Sequence, residues 1–179
     1  PFILLYCHVY KYLLSFFVFS MGVQTVMLLA PLFANKVIGM KSDEMILVVL
    51  IIQVIAILGS YFFAWISNLK GNGTAIILAL LIWASICVVG FFLENKMSFY
   101  IMAVFLGFVM AGIQSISRST YSKLIPEKTM DNASFFSFYD ITEKLGIVIG
   151  TFFYGLIDQL TGDMRLSMLF MTLFFISGI

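Results

Sequence analysis

Residues Met45–Leu69 read MILVVLIIQVIAILGSYFFAWISNL, 25 positions without one Asp, Glu, Lys or Arg. A helix needs about 20 such residues, at about 1.5 Å each, to cross the ~30 Å hydrocarbon core of a bilayer. Outward from this stretch the pattern repeats. Tyr12–Asn35, Gly71–Leu93 and Met97–Ser117 are also free of charge and 21 to 24 residues long. Runs of this length exclude an outer-membrane barrel, whose strands are ~10 residues of strict alternation. The breaks Lys36–Glu44, Asn68–Gly73 and Glu94–Ser98 are short and polar, so consecutive helices run antiparallel. A longer polar stretch covers Arg118–Ser134; a fifth span has to fit in Phe135–Ile157, and a sixth begins near Leu166.

Composition agrees with the runs. Of 179 residues 62% are hydrophobic and 11% charged, and the mean hydropathy is +1.09. A soluble domain carries about 25% charged residues, because its exterior needs them. The expected fold is therefore all-α: a polytopic integral membrane protein with six transmembrane helices at about 11–35, 45–67, 74–93, 98–120, 135–157 and 166–179 in one domain. A lead-in segment, 1–10, precedes them. Both ends are expected to be truncations of a longer chain, with the last helix cut short.

Ten Lys or Arg against nine Asp or Glu leave a net charge of +1, too little for a nucleic-acid partner bound through counterion release. Cys7 and Cys87 sit in apolar surroundings and offer no disulfide framework, and no Cys/His spacing suits a metal. No nucleophile–base set or phosphate loop is present, so neither catalytic residues, nor a metal, nor a cofactor, nor enzymatic activity is expected; the single histidine, His8, lies in the lead-in. Lys11, Lys70, Arg118, Lys123 and Lys128 fall on one side of the membrane, and Lys36, Lys41, Lys96 and Arg165 on the other. This slight excess makes the first side cytoplasmic.

Two constellations carry chemistry. Gly22-Val-Gln24-Thr-Val26 in the first span is matched by Gly112-Ile-Gln114-Ser-Ile116 in the fourth, 90 residues later. Internal three-plus-three repeats mark transporters. An amide in lipid is costly unless it finds partners or lines a polar cavity, so Gln24 and Gln114 either bridge helices or contact a solute. The fifth span has only 13 charge-free residues, Leu145–Ile157. To cross the bilayer it has to carry Asp140, Glu143 and Lys144 inside, with Lys144 about 13 Å beyond Phe135. Asp140 and Lys144, at i and i+4, are placed to pair, with Glu143 beside them. Ionisable groups at such depth are functional candidates by default, and the extra carboxylate makes a coupling proton conceivable. Arg118 lies one turn beyond Gln114, where a guanidinium can hold helix-end carbonyls or a solute carboxylate. Ala103, Gly107, Ala111, Ser115 and Ser119 form a small-residue stripe for close helix contact.

The stretch Gly107–Pro126, with Gln114-Ser-Ile-Ser-Arg118-Ser and Leu124-Ile-Pro126, followed by Phe135-Phe-Ser-Phe-Tyr139 and Lys144, resembles the vacuole effluxer-like branch of the major facilitator superfamily. That branch is named for the autophagy-related vacuolar amino-acid effluxer and has bacterial members. The resemblance covers roughly residues 11–179, and Gly22-Val-Gln-Thr25 is similar to the family's seventh helix. It departs at Met21, Asn68 and Thr151, where the family more often has two Asp and a Pro. The resemblance implies helices seven to twelve of a twelve-helix secondary transporter. Its expected partners are a small, amino-acid-like solute, a coupling proton or other ion, the lipid bilayer and the N-terminal six-helix half of the same protein. A bacterial cytoplasmic membrane is the expected location. Gln24, Gln114, Arg118, Tyr139, Asp140, Glu143 and Lys144 are the candidate site residues. The alternative is a non-transporting membrane scaffold or receptor on the same fold.

Overall fold

The computed structural model describes the backbone of residues 2–125 and 132–179, and the side chains of 9–125 and 133–179. Pro126 and Lys128, and the side chains of Cys7 and His8, lie outside the described residues. Among them there are six α-helices and no strand: α1 Phe2–Lys36, α2 Ser42–Lys70, α3 Asn72–Phe91, α4 Lys96–Leu124, α5 Asn132–Thr161 and α6 Met164–Ser177. Four are long and apolar enough to cross a membrane, α1 through its Val9–Lys36 part and α2, α3 and α4 in full. The chain is an integral, multi-pass membrane protein. The 30 residues of α5 include Asp140, Glu143 and Lys144, which lower its apolarity, and α6 has 14 residues.

The boundaries differ from the sequence reading at one point that matters. Residues 2–10 are not a separate lead-in: nothing in them breaks a helix, and α1 runs through them without interruption. α2, α4 and α5 outrun their expected bounds by two to four residues at each end, since polar residues such as Arg118, Ser119 and Ser122 sustain a helix too, whereas α3 and α6 each start and stop two residues early. Turns are tight. Gly71, at φ +87°, is the whole connection between α2 and α3. Gly162, at φ +67°, ends α5, and Asp163 then caps α6 by accepting from the Arg165 amide at 2.8 Å.

The helices pack in a pattern that maps onto itself when each is exchanged for the one three places later. α2 and α3 both pack on α4, as α5 and α6 both pack on α1; α2 meets α3 as α5 meets α6; α1 meets α4, and α3 meets α6. Gly22-Val-Gln-Thr-Val and its counterpart 90 residues on are thus the sequence trace of a structural repeat. Lipid gives helices little hydrophobic reason to associate, so close backbone approach has to do it. On the α2–α4 contact a Cβ at Gly59 would stand 1.8 Å from the Phe108 carbonyl oxygen, and one at Gly107 would stand 2.7 Å from that of Ile52. On the equivalent α5–α1 contact a Cβ at Gly150 would stand 2.2 Å from Thr25 Oγ1. The small-residue stripe of α4 serves this purpose only at its upper end: Ala103 and Gly107 are buried, whereas Ser115 and Ser119 are exposed. Behind α1 and α4, Trp83 of α3 stacks on Phe175 of α6 with ring centres 5.5 Å apart, both rings fully buried.

Polar side chains collect at the two ends. At one, Asn72 donates to Thr120 Oγ1 at 2.9 Å and accepts from Lys123 at 3.1 Å, tying the α2–α3 turn to the last turns of α4. At the other, Lys96 pairs with Glu44 at 2.8 Å, and Arg165 donates to the Phe91 carbonyl that ends α3.

Candidate functional site

A polar pocket of about 100 Å³ opens between α1, α4 and α5, at the end of the molecule that carries Lys11 and Lys123. Helical spacing supplies its walls. Phe16, Ser20, Val23 and Gln24 lie on one stripe of α1, Ile113, Gln114, Ser117 and Arg118 on one stripe of α4, and Tyr139 and Glu143 one turn apart on α5. The two repeat-related glutamines therefore share one cavity. Five of the seven candidate residues line it: Gln24, Gln114, Arg118, Tyr139 and Glu143.

Charge pairing runs between helices. Arg118 Nη2 donates to Asp140 Oδ1 at 2.6 Å, from α4 to α5. Gln24 Nε2 donates to Glu143 Oε1, from α1 to α5. Asp140 and Lys144, placed to pair one turn apart, do not pair, and the partner of Arg118 among the described residues is the Asp140 carboxylate. Asp140 points across to a guanidinium that can hold it more firmly than a lysine one turn along its own helix could. Lys144 is exposed, does not line the pocket, and has no hydrogen-bond or ion-pair partner among the described residues. Insertion scales put a lone Lys at the centre of a membrane helix at about +2.5–3.5 kcal/mol.

Aromatic rings form the floor. Tyr139 stacks on Phe16 with ring centres 4.1 Å apart, and the Arg118 guanidinium carbon stands 5.6 Å from the centre of the same Tyr139 ring. Such a cation–π contact fixes the guanidinium between a ring and a carboxylate. Tyr121 leans on Tyr139, with centres 5.2 Å apart, and donates to the Phe135 carbonyl at 2.9 Å. Tyr12 stacks beyond it and donates to the Ser117 carbonyl at 2.8 Å. Ser117 also lines the pocket, and its buried hydroxyl lies beside that of Tyr12.

Several of these residues escape a reading of charge and amide alone. Ser20 and Phe16 are found by following the helical spacing one and two turns back from Gln24, and Ser117 stands in the quoted motif one turn beyond Gln114. Gln53 is another. It lies 90 residues before Glu143, and it lines a second cavity of about 90 Å³ between α1, α2 and α4, with Ala30, Ala34 and Met45. That cavity lies at the Lys96 end. The offset of 90 relating Gln24 to Gln114 also relates Gln53 to Glu143, so each half of the repeat places a polar side chain in a cavity at its own end.

Comparison with known proteins bears on the whole chain. The family description "Vacuole effluxer Atg22 like" matches residues 3–179. The uncharacterized MFS-type transporter YxiO of Bacillus subtilis is 26% identical over 174 residues, covering 97% of this chain and 40% of the relative. Autophagy-related protein 22 of Eremothecium gossypii is 28% identical over 179 residues, covering 94% of this chain and 35% of the relative. The Saccharomyces cerevisiae protein of the same name is 27% identical over 170 residues, 89% of this chain and 32% of the relative. The chain thus spans well under half the length of the curated relatives it matches.

Proposed function

The chain belongs to the vacuole effluxer Atg22-like family, and from that membership we propose that it is the C-terminal half of a secondary active transporter. The full protein moves a small, amino-acid-like solute by alternating access between two six-helix halves. The observation that carries this reading is the pocket: in a bundle otherwise walled by apolar residues, Gln24, Gln114, Arg118 and Glu143 converge from three helices on one cavity. The share of each relative that the chain covers leaves room for a second bundle.

The side chains divide the work by chemistry. Arg118, steadied by Asp140 and Tyr139, presents a guanidinium for a carboxylate, with the Gln114 amide beside it. Glu143 has an amide neighbour and no cation bonded to it among the described residues, so it is free to take the ammonium group of a solute or a coupling proton. Asp140 is already neutralised by Arg118 and serves as its anchor. A bacterial cytoplasmic membrane is the proposed setting, as for a relative of YxiO. A scaffold or receptor on this fold would leave an intramembrane carboxylate without a task.

The test is uptake of a panel of radiolabelled amino acids by vesicles reconstituted with the full-length protein. We expect accumulation of at least one of them, driven by a proton gradient, and lost in Glu143→Gln at matched protein levels. No uptake above empty vesicles for any of the panel, with or without a gradient, would remove the amino-acid-like assignment.

A further inference from the structure

We propose that Lys144 is met, in the assembled protein, by an Asp or Glu on a helix of the complementary half, making the exposed strip of α5 a docking surface with one ion pair at its middle. This rests on the two-half reading above and adds to it the chemistry of the contact.

Three observations lead to a partner outside these residues. The first is depth: Lys144 lies about 18 Å from the start of the 30-residue α5, near the helix centre. The second is direction. At about 100° per residue Lys144 is about 140° round the helix from Tyr139, which packs on α1 through Phe16. It shares that outer flank with Ile141, Leu145 and Val148, which are 51% to 63% exposed, and it stands outside the polar pocket. The third is the account of carboxylates. Asp140 is held by Arg118 at 2.6 Å, and Glu143, about 100° round the helix from Lys144, turns into the pocket beside Gln24. Asp43, Glu44, Glu94, Asp158 and Asp163 sit at the far end, where Glu44 is taken by Lys96; Asp158, the nearest along α5, is about 21 Å on. Glu127 and Asp131 fall outside the described residues.

A cation at this depth turns to a bundle interior or pairs with an opposite charge. Lipid supplies anionic groups only at headgroup level. A second copy docked by a two-fold axis would set the strip against itself and bring Lys144 toward its own image. A helix of the complementary half with a carboxylate at the same depth satisfies both the apolar strip and its charge. The relatives have the chain to supply it, since the matched region is 32% to 40% of their length.

The experiment uses the full-length protein in detergent, read by melting temperature and by yield of monodisperse material, neither of which depends on transport. Lys144→Arg should stay close to wild type, and Lys144→Glu should lose about 10 °C or more. Each Asp and Glu in the membrane spans of the complementary half is then changed to Lys in the Lys144→Glu background, and one exchange should recover at least half of the loss. If Lys144→Glu gives no folded protein, Lys144→Gln replaces it. The acid is then identified as the one whose Asn or Gln variant is strongly non-additive with Lys144→Gln. In parallel, Val148→Cys carrying a benzophenone maleimide reports what covers the strip. Crosslinks within one chain, to the helix that carries the rescuing acid, would establish the pairing. Such crosslinks with no rescuing or non-additive acid would overturn the pairing while leaving the two-half assembly standing. A crosslinked dimer, or crosslinks to lipid alone, would overturn the docking surface.

Discussion

Arg118 is held from two sides, by the Asp140 carboxylate at 2.6 Å and by the Tyr139 ring, yet more than half of its side chain is exposed. Exposed pairs contribute only about 0.2–1 kcal/mol to stability. The arrangement is therefore better suited to aiming the guanidinium than to holding the fold. We expect Arg118→Ala to change thermal stability by no more than about 1 kcal/mol while reducing solute flux about 10- to 100-fold, the value of a charge-assisted hydrogen bond. Melting curves and vesicle flux on the same preparations check both parts; a large loss of stability with flux intact would make Arg118 structural. At this scale the sequence was only partly legible. Six of the seven candidate residues could be picked out because charge and amide are rare in this chain, and Tyr139 through the family resemblance, but their partners could not. Helical spacing shows which residues share a face of one helix, and so Asp140 was matched to Lys144. The contact that prevails, from Arg118, lies 22 positions away and depends on how α4 and α5 pack.

Between elements, glycines set the distances. A methyl group at Gly59 has no room, since it would meet the Phe108 backbone at 1.8 Å, and backbone cannot turn aside as a side chain can. Gly59→Ala should destabilise the bundle by about 1–3 kcal/mol through the displacement of α2 from α4. Gly155, on α5, has nothing within 4 Å of where its Cβ would be, so Gly155→Ala should be neutral or stabilising by about 0.5–1 kcal/mol. Denaturation of the two variants side by side separates close packing from helix propensity; equal effects would contradict it. The helices themselves were legible from charge-free runs, because only long apolar segments can satisfy a backbone in lipid. Their ends were less so. Charge marks where lipid stops rather than where a helix does, which is why α4 continues to Leu124 and α1 reaches back to Phe2.

For the whole molecule, the three-plus-three repeat joins fold to function. It was legible in five residues, Gly22–Val26 and their counterparts, but the counterpart of Glu143 was not, because Gln53 sits alone in an apolar run and draws attention only once the cavities are seen. If the repeat is used in transport, Gln53 at the Lys96 end acts as the polar contact when the path opens there. Gln53→Leu should then slow flux several-fold without loss of folded protein, as an apolar side chain suits lipid better than an amide. Flux equal to wild type at matched protein levels would confine Gln53 to packing.

Transport requires that the pocket face each side of the membrane in turn. The direct measurement is made on full-length protein with Gln114→Cys as its one reactive thiol, reconstituted in one orientation and exposed to a membrane-impermeant maleimide from either side. Gln114 is exposed on the pocket wall, so reagent should reach it without unfolding. We expect labelling from both sides, slowed by the transported solute and accompanied by loss of flux. Labelling from one side only, unaffected by any solute and without effect on flux, would contradict a transport path through this pocket.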